Sequence, residues 1–217
     1  HLNGNGCPKC AGTISKPEEE IKKYILSLSP NEKIVQGSYK ILGRKEIDLY
    51  FPGKNVALEF DGIYWHTEQF GRGKHYHLDK LNGCNKKGIN LMHIFEDEWI
   101  EHKEVVLSKI AHILHISSYD KKVRGHKCAV NEISPLIAKP FFEKNHIQGY
   151  VPGSVILGAF YESVLVGAVI FKKEATEGYY ELTRMATKNN YLCHGVSGKM
   201  FKYFVDNYKP VHIKSFA

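Results

Sequence analysis

Cysteine is scarce in this 217-residue chain: five in all, an odd count, with Cys7 and Cys10 forming one C-x-x-C. That usage excludes a disulfide-stapled framework and points to a reducing, cytoplasmic setting. Long apolar runs are lacking too. No stretch reaches the ~20 residues that span a bilayer, and no signal-peptide pattern is present, so no membrane partner is expected. Acidic residues are in deficit, 23 against 30 Lys and Arg, leaving a formal charge of +7 and a pI of about 9.0. Such a surplus favours a polyanion such as nucleic acid. Internal repeats and low-complexity tracts are also missing. What is present is core material: 43% of residues are hydrophobic, and the length suits two domains. The chain opens at His1 without Met and closes in the strand-like "VHIKSFA", so it reads as part of something longer.

The first half predicts the order α-β-β-β-α-β-α. "SKPEEEIKKYILSL" has Ser15 and Glu18 at capping-box spacing, Pro17 in the first turn, and Ile21, Tyr24, Ile25 and Leu28 on one helical stripe. Three strand-like segments follow, "KIVQGSYKIL", "KEIDLYFP" and "NVALEF", the last two joined by a "PGKN" turn. After the glycine-basic loop "QFGRGKHYH", a helix is expected from about Leu78 to Lys87, closing at Gly88. "INLMHIF" reads as a buried strand and "EDEWIEHKEVVLSKIAHILHI" as an amphipathic helix. Near residue 120 the composition turns polar and basic, which marks a domain boundary. Beyond it come a helix, "SPLIAKPFFEKNH", then strands "VILGAFYE", "VLVGAVIFK" and "YYELTRMAT". Gly158 and Gly167 are expected at matching positions in the first pair. "GVSGKMFKYFVDNY" is a glycine-rich turn opening a helix, followed by the final strand.

Carboxylates stand where a core strand should exclude them. In "EIDLYF" the period of two puts Asp48 on the face opposite Ile47, Leu49 and Phe51. In "VALEFDGIYWH" Glu59 and Asp61 share a face opposite Val56, Leu58 and Phe60, and His66 follows closely. A hairpin through "PGKN" brings Asp48 toward the Glu59/Asp61 pair. Like charges that close repel, and a hard divalent cation, Mg²⁺ or Mn²⁺, is the usual reason to tolerate them.

The stretch "GRKEIDLYFPGKNVALEFDGIYWH" resembles the PD-(D/E)xK nuclease core, an Asp on one strand and ExK on the next, with Asp61 standing in place of the lysine. "DGxxWH", the helical Glu18 and "GINLMHIFEDEW" are similar to the very-short-patch-repair branch and to phage homing endonucleases with an EDxHD signature. The resemblance implies a metal-dependent DNA endonuclease with a mixed sheet flanked by helices, over residues 13–118. It implies Asp48 as the principal Mg²⁺ ligand, helped by the main-chain carbonyl of Phe60, with Glu59 as a second ligand. His66 takes the general acid–base role, and Glu18 reaches metal-bound water. Asp61 occupies the slot of another active-site histidine. The last signature position is open between His77 and Asp79, in "HYHLDK". Arg44, Lys45, Arg72, Lys74 and Lys80 are the candidate contacts to double-stranded DNA.

The C-x-x-C supplies half of a tetrahedral Zn²⁺ site. In phage nucleases of this kind a zinc ribbon often precedes the nuclease domain, so residues 1–12 read as a partial ribbon or knuckle whose other ligands lie outside the chain. Cys84, Cys128 and Cys193 read as ordinary buried residues. Residues 119–217 resemble the GNAT acyltransferase fold, an α+β arrangement whose closing strands are missing here. That likeness implies that Arg184, Gly195, Ser197, Gly198 and Lys199 face acetyl-CoA or a phosphate. His146 is the one candidate for acid–base work in acyl transfer, and a module that positions DNA without transferring anything is the alternative. A DNA-binding protein with a decayed nuclease core, and a nucleic-acid-directed acyltransferase, are the other readings of the whole chain.

Overall fold

The computed structural model describes residues 16–39, 41–43, 45–62, 74–117 and 119–215, the side chains of residues 74–77 excepted. Cys7, Cys10, Arg44, His66 and Arg72 lie outside them, as do the side chains of Lys74 and His77. The chain is mixed α/β, with three sheets and five α-helices among the described residues. None of these helices is long and apolar enough to cross a membrane. Two compact units are present: residues up to Glu101 with Lys109–Ile116, and His102–Ser108 with Ser117–Ala217.

In the first unit α1 (Lys16–Leu28) buries Ile21 and Ile25 from the expected stripe. β1 (Val35–Ser38), β2 (Ile47–Phe51), β3 (Val56–Asp61) and β4 (Asn90–Phe95) form one sheet in the order β1-β2-β3-β4. β2 and β3 are antiparallel through the expected turn, where Asn55 takes φ 52° and Lys54 N–H donates to Phe51 O. β3 and β4 are parallel, and a helix supplies the crossover that a parallel pair requires. That crossover helix, α2 (Lys74–Asn85), starts four residues before Leu78 and ends two before Lys87; a turn to Gly88, φ 69°, completes the exit. Ile41, Ile47, Ala57, Cys84, Ile89 and Leu91 form a buried cluster between α2 and the sheet. α3 (Glu96–Ile113) follows β4 directly and is broken at His102, where φ is −132° and ψ 38°.

The second unit holds β5 (Lys121–Arg124), a 3-10 turn (Gly125–Lys127), β6 (Ala129–Glu132) and α4 (Pro135–Asn145). β7 (Val155–Tyr161), β8 (Val164–Lys173), β9 (Tyr179–Thr187), β10 (Tyr191–His194), α5 (Val196–Tyr208) and β11 (His212–Ser215) follow. A five-stranded sheet runs β11-β9-β8-β7-β6, antiparallel except that β11 lies parallel to β9. Alternation along β7 and β8 sorts the core into two layers. Ile156, Ala168 and Ile170 pack with Phe141 and Phe142 of α4, while Leu157, Val169 and Phe171 pack with Met200 and Phe204 of α5. Phe171 and Phe204 stack with ring centroids 3.6 Å apart. Gly158 pairs with Ala168 and Gly167 with Ala159, so the two glycines are offset by one step rather than matched. β5 and β10 form a separate parallel ribbon. The sequence pattern did not single out β5, β6 or β10, four-residue strands whose partners are remote in the chain.

Candidate active site and the rim of the second unit

The β2–β3 ladder pairs Leu49 with Leu58, and one further step sets Asp48 opposite Glu59. There the ladder ends, and the Phe60 N–H donates to Asp48 Oδ2 at 2.8 Å instead of to a backbone carbonyl. Burial pushes the Asp48 carboxyl up to about 7; the charges of Glu59 and Glu18 add to that, and the Phe60 amide and Lys80 oppose it. Glu18, on the first turn of α1, is therefore close enough to be felt at Asp48. These groups come from four separate elements, α1, β2, β3 and α2, and the sheet register is what brings the two strand carboxylates together.

Glu59 is only 7% exposed, and its Oε1 accepts from the ammonium of Lys80, itself 3% exposed. Lys80 is thus not a surface contact to DNA as the sequence suggested. α2 packs against the sheet and turns this lysine inward, onto a buried carboxylate. Burial raises the Glu59 carboxyl and Lys80 draws it back, with Asp61 and His93 adding smaller opposed effects. Glu59 Oε2 is buried with no hydrogen-bond partner. A buried carboxylate oxygen left bare is costly unless something positive meets it.

Asp61 is buried at 7% exposure, and His93 Nδ1 lies 2.7 Å from its Oδ2. His93 sits on β4 at the position paired with Glu59. Sequence reasoning missed it, although the signal was there: a polar residue inside the apolar run "LMHIF". Trp99, from "EDEW", packs its ring edge-to-face on Phe60 with centroids 6.2 Å apart, buttressing the strand that carries the acids. Lys45 and Asp79 form an exposed ion pair at 3.1 Å, so Asp79 stands at the surface and away from the buried carboxylates. His77 lies on α2 one turn before Lys80.

Among the described residues no group of three or more His, Cys, Asp or Glu is arranged to hold a metal. Asp48, Glu59 and the Phe60 main chain still make a donor set of the kind Mg²⁺ uses, since that ion takes one or two carboxylates and completes its shell with water and phosphate. A half-raised Asp48 and the bare Glu59 Oε2 both fit a cation.

In the second unit Gly195, Ser197, Gly198 and Lys199 share one turn at the start of α5, where the Lys199 N–H donates to Gly195 O at 3.1 Å, while the side chain of Lys199 and that of Arg184 are used elsewhere. Gly195, φ 69°, precedes α5 and lines an open cleft of about 530 Å³ with Arg124, Gly125, His126 and His194. Lys199 lines a different cleft of about 420 Å³, with Cys128, Lys202, Tyr203 and Asp206 among its walls. Its ammonium donates to His126 O at 3.3 Å and to Cys128 O. Lys199 is therefore a strut between α5 and the 3-10 turn. Arg184, on β9, donates from Nη1 to Thr183 O at 2.8 Å and lines neither cleft. Ser197 and Gly198 lie in the first turn of α5. His146 caps α4, and its Nδ1 accepts from Gln148 N–H at 3.1 Å. Cys84 and Cys128 are buried, with thiols raised by burial; Cys193 is half-buried and raised to about 11.

Comparison with known proteins returns no match: no family model, no curated protein and no solved structure aligns significantly with this chain.

Proposed function

We propose that the first unit is the core of a divalent-metal-dependent DNA endonuclease of PD-(D/E)xK type, of the very-short-patch-repair-like, homing or mobile-element kind. One observation carries this reading: Asp48 and Glu59 are set opposite each other in a sheet interior, with the Lys80 ammonium on Glu59. The strand motif lacks the lysine of ExK because Asp61 stands there, and α2 delivers a buried lysine to the same carboxylate. Mg²⁺ or Mn²⁺ would be held by Asp48 and Glu59 with the Phe60 carbonyl, and when bound it supplies Lewis-acid stabilisation of phosphate charge.

The chain's own groups do the rest. The Phe60 amide fixes the Asp48 carboxylate, leaving its second oxygen to face a cation. Lys80 opposes the upward push of burial on the Glu59 carboxyl and sets a positive charge beside the carboxylates, where negative charge would grow on a phosphodiester under attack. Asp61 fixes the His93 ring through Nδ1. His66, beyond the described residues, keeps the proton-transfer role that the motif implies. A net charge of +7 suits a double-stranded DNA substrate.

For the second unit the proposed arrangement is GNAT-like, supported by four antiparallel strands, the helix α5 and β11 returning parallel beside β9. Acetyl-CoA binding there is tested by calorimetry on the intact chain. The endonuclease is tested on supercoiled plasmid with Mg²⁺ or Mn²⁺. Nicking or linearisation that disappears in Asp48→Ala supports it. No cutting with any divalent ion, or equal cutting by the variant, overturns it.

A further inference from the structure

The β5/β10 ribbon carries charge of one sign. Its eight residues, "KKVR" and "YLCH", include no acid. Register pairs Val123 with Cys193 and Arg124 with His194. Val123 is fully buried in the core of the unit, and Cys193 packs against that core, so this face of the ribbon is spoken for. Alternation then sends Lys122, Arg124 and His194 to the other face, and all three are exposed. Lys121, on the inward parity, is already neutralised by its ion pair with Glu162.

The 3-10 turn extends the same face. A Cβ on Gly125 would lie 2.2 Å from Gly195 O, so only glycine lets the turn press against the chain entering α5. Lys199 then fastens the turn by donating to the carbonyls of His126 and Cys128. His126 and Lys127 are thereby presented, both exposed, from a backbone tied at two points. The cleft of about 530 Å³ between ribbon and turn is walled by Arg124, His126 and His194 with two glycines, and among the described residues no carboxylate lines it.

We propose that this cationic face is a second nucleic-acid contact, gripping the phosphodiester backbone of DNA at a site separate from the carboxylates of the first unit. The chemistry recognised is a row of phosphates. Lys122 and Arg124 are two residues apart on one strand, about 6.6 Å, a separation comparable with that of successive phosphates along a strand. The row continues past the cleft to Lys127, which suits a linear polyanion better than one isolated group. Arg supplies planar, bidentate recognition of phosphate and Lys a point charge, and neither reads sequence from the backbone. The proposal extends the endonuclease reading without depending on cleavage.

The test is binding of a fluorescein-labelled 30-base-pair duplex by the intact chain in EDTA, followed by anisotropy from 50 to 200 mM salt. Lys122→Gln/Arg124→Gln should bind roughly tenfold more weakly, with the log–log salt slope shallower by about 2, since each phosphate contact contributes about 0.9. Lys139→Gln/Lys144→Gln on α4, which covers the opposite face of the sheet, is the control and should leave both quantities unchanged. Unaltered affinity and slope in the first variant, at unchanged melting temperature, overturns the proposal. Equal losses in both variants overturn it as well, because they would reflect net charge alone. Calorimetric binding of acetyl-CoA that is lost in the first variant while DNA binding persists would assign the cleft to a nucleotide cofactor and likewise overturn it. Plasmid cutting fails or succeeds independently of all three, because the carboxylates are untouched.

Discussion

Two central strands, β3 and β8, meet the same burial with opposite chemistry. β8 runs through its sheet with Val166, Ala168, Val169, Ile170 and Phe171 all buried and no ionisable group among them. β3 is just as central and places Glu59 and Asp61 inside, both 7% exposed. The second sheet follows the rule that interiors are apolar; the first breaks it twice in three residues. Each breach has its own answer, Lys80 on Glu59 and His93 on Asp61. β3 thus depends on compensating partners from α2 and β4, the feature on which the proposed chemistry rests, whereas β8 depends on packing alone.

Removing one compensating partner gives the largest effect. Lys80→Ala leaves Glu59 buried without its cation and should cost about 3–5 kcal/mol, seen as a fall in urea midpoint. Replacing both members, Glu59→Leu/Lys80→Met, should recover most of that stability, because the pair is costly to desolvate. The double variant should remain unable to cut DNA. If it cuts, β3 is merely an unusual core strand and the contrast with β8 loses its meaning.

The next effect is on pH. The native Asp48 carboxyl titrates near 7 against an ordinary value of 3.8, so between those values the native state holds more protons than the unfolded chain. Stability from this group is complete below about pH 4 and is lost as pH rises through 7. Asp48→Asn removes the titration and keeps an oxygen for the Phe60 amide. In EDTA at pH 8 it should be more stable than the parent by about 1–2 kcal/mol, discounted for the partial exposure of the group. At pH 4 the two should melt together. A parent whose melting temperature rises from pH 5 to 8 in EDTA would contradict the assignment.

Legibility in the sequence followed the same division. Long periodic segments announced themselves: β9 spans Tyr179–Thr187, the run "YYELTRMAT" itself, and the α-β-β-β-α-β-α order of the first unit is present. Asp48, Glu59 and Asp61 were visible as carboxylates at odds with an apolar period. The partners of those acids were not. Lys80 looked like one more surface cation in a basic chain, since its burial depends on how α2 lies on the sheet rather than on any local pattern. His93 was hidden inside a strand read only for its apolar residues. β5 and β10 escaped because "KKVR" and "YLCH" carry weak strand signals and pair across some seventy residues of chain. Lys199 followed glycines in a phosphate-loop pattern, yet the fold spends its ammonium on two carbonyls.

Lys199 and Lys80 sharpen the comparison at its small end. Both are helix lysines that reach across to another element, one to a buried carboxylate and the other to main-chain oxygens at a half-exposed edge. The carbonyls of His126 and Cys128 can turn to water when the amine is removed, whereas Glu59 cannot. Lys199→Met keeps the stem and should therefore cost only about 1 kcal/mol, a fraction of the loss in Lys80→Ala. Because the 3-10 turn would be less firmly held, DNA affinity should fall about twofold while the salt slope stays within about 0.5 of the parent, since no phosphate contact is deleted. A slope shallower by a full contact, at unchanged stability, would make Lys199 a phosphate ligand after all and return the glycine-rich loop to the role its pattern suggested.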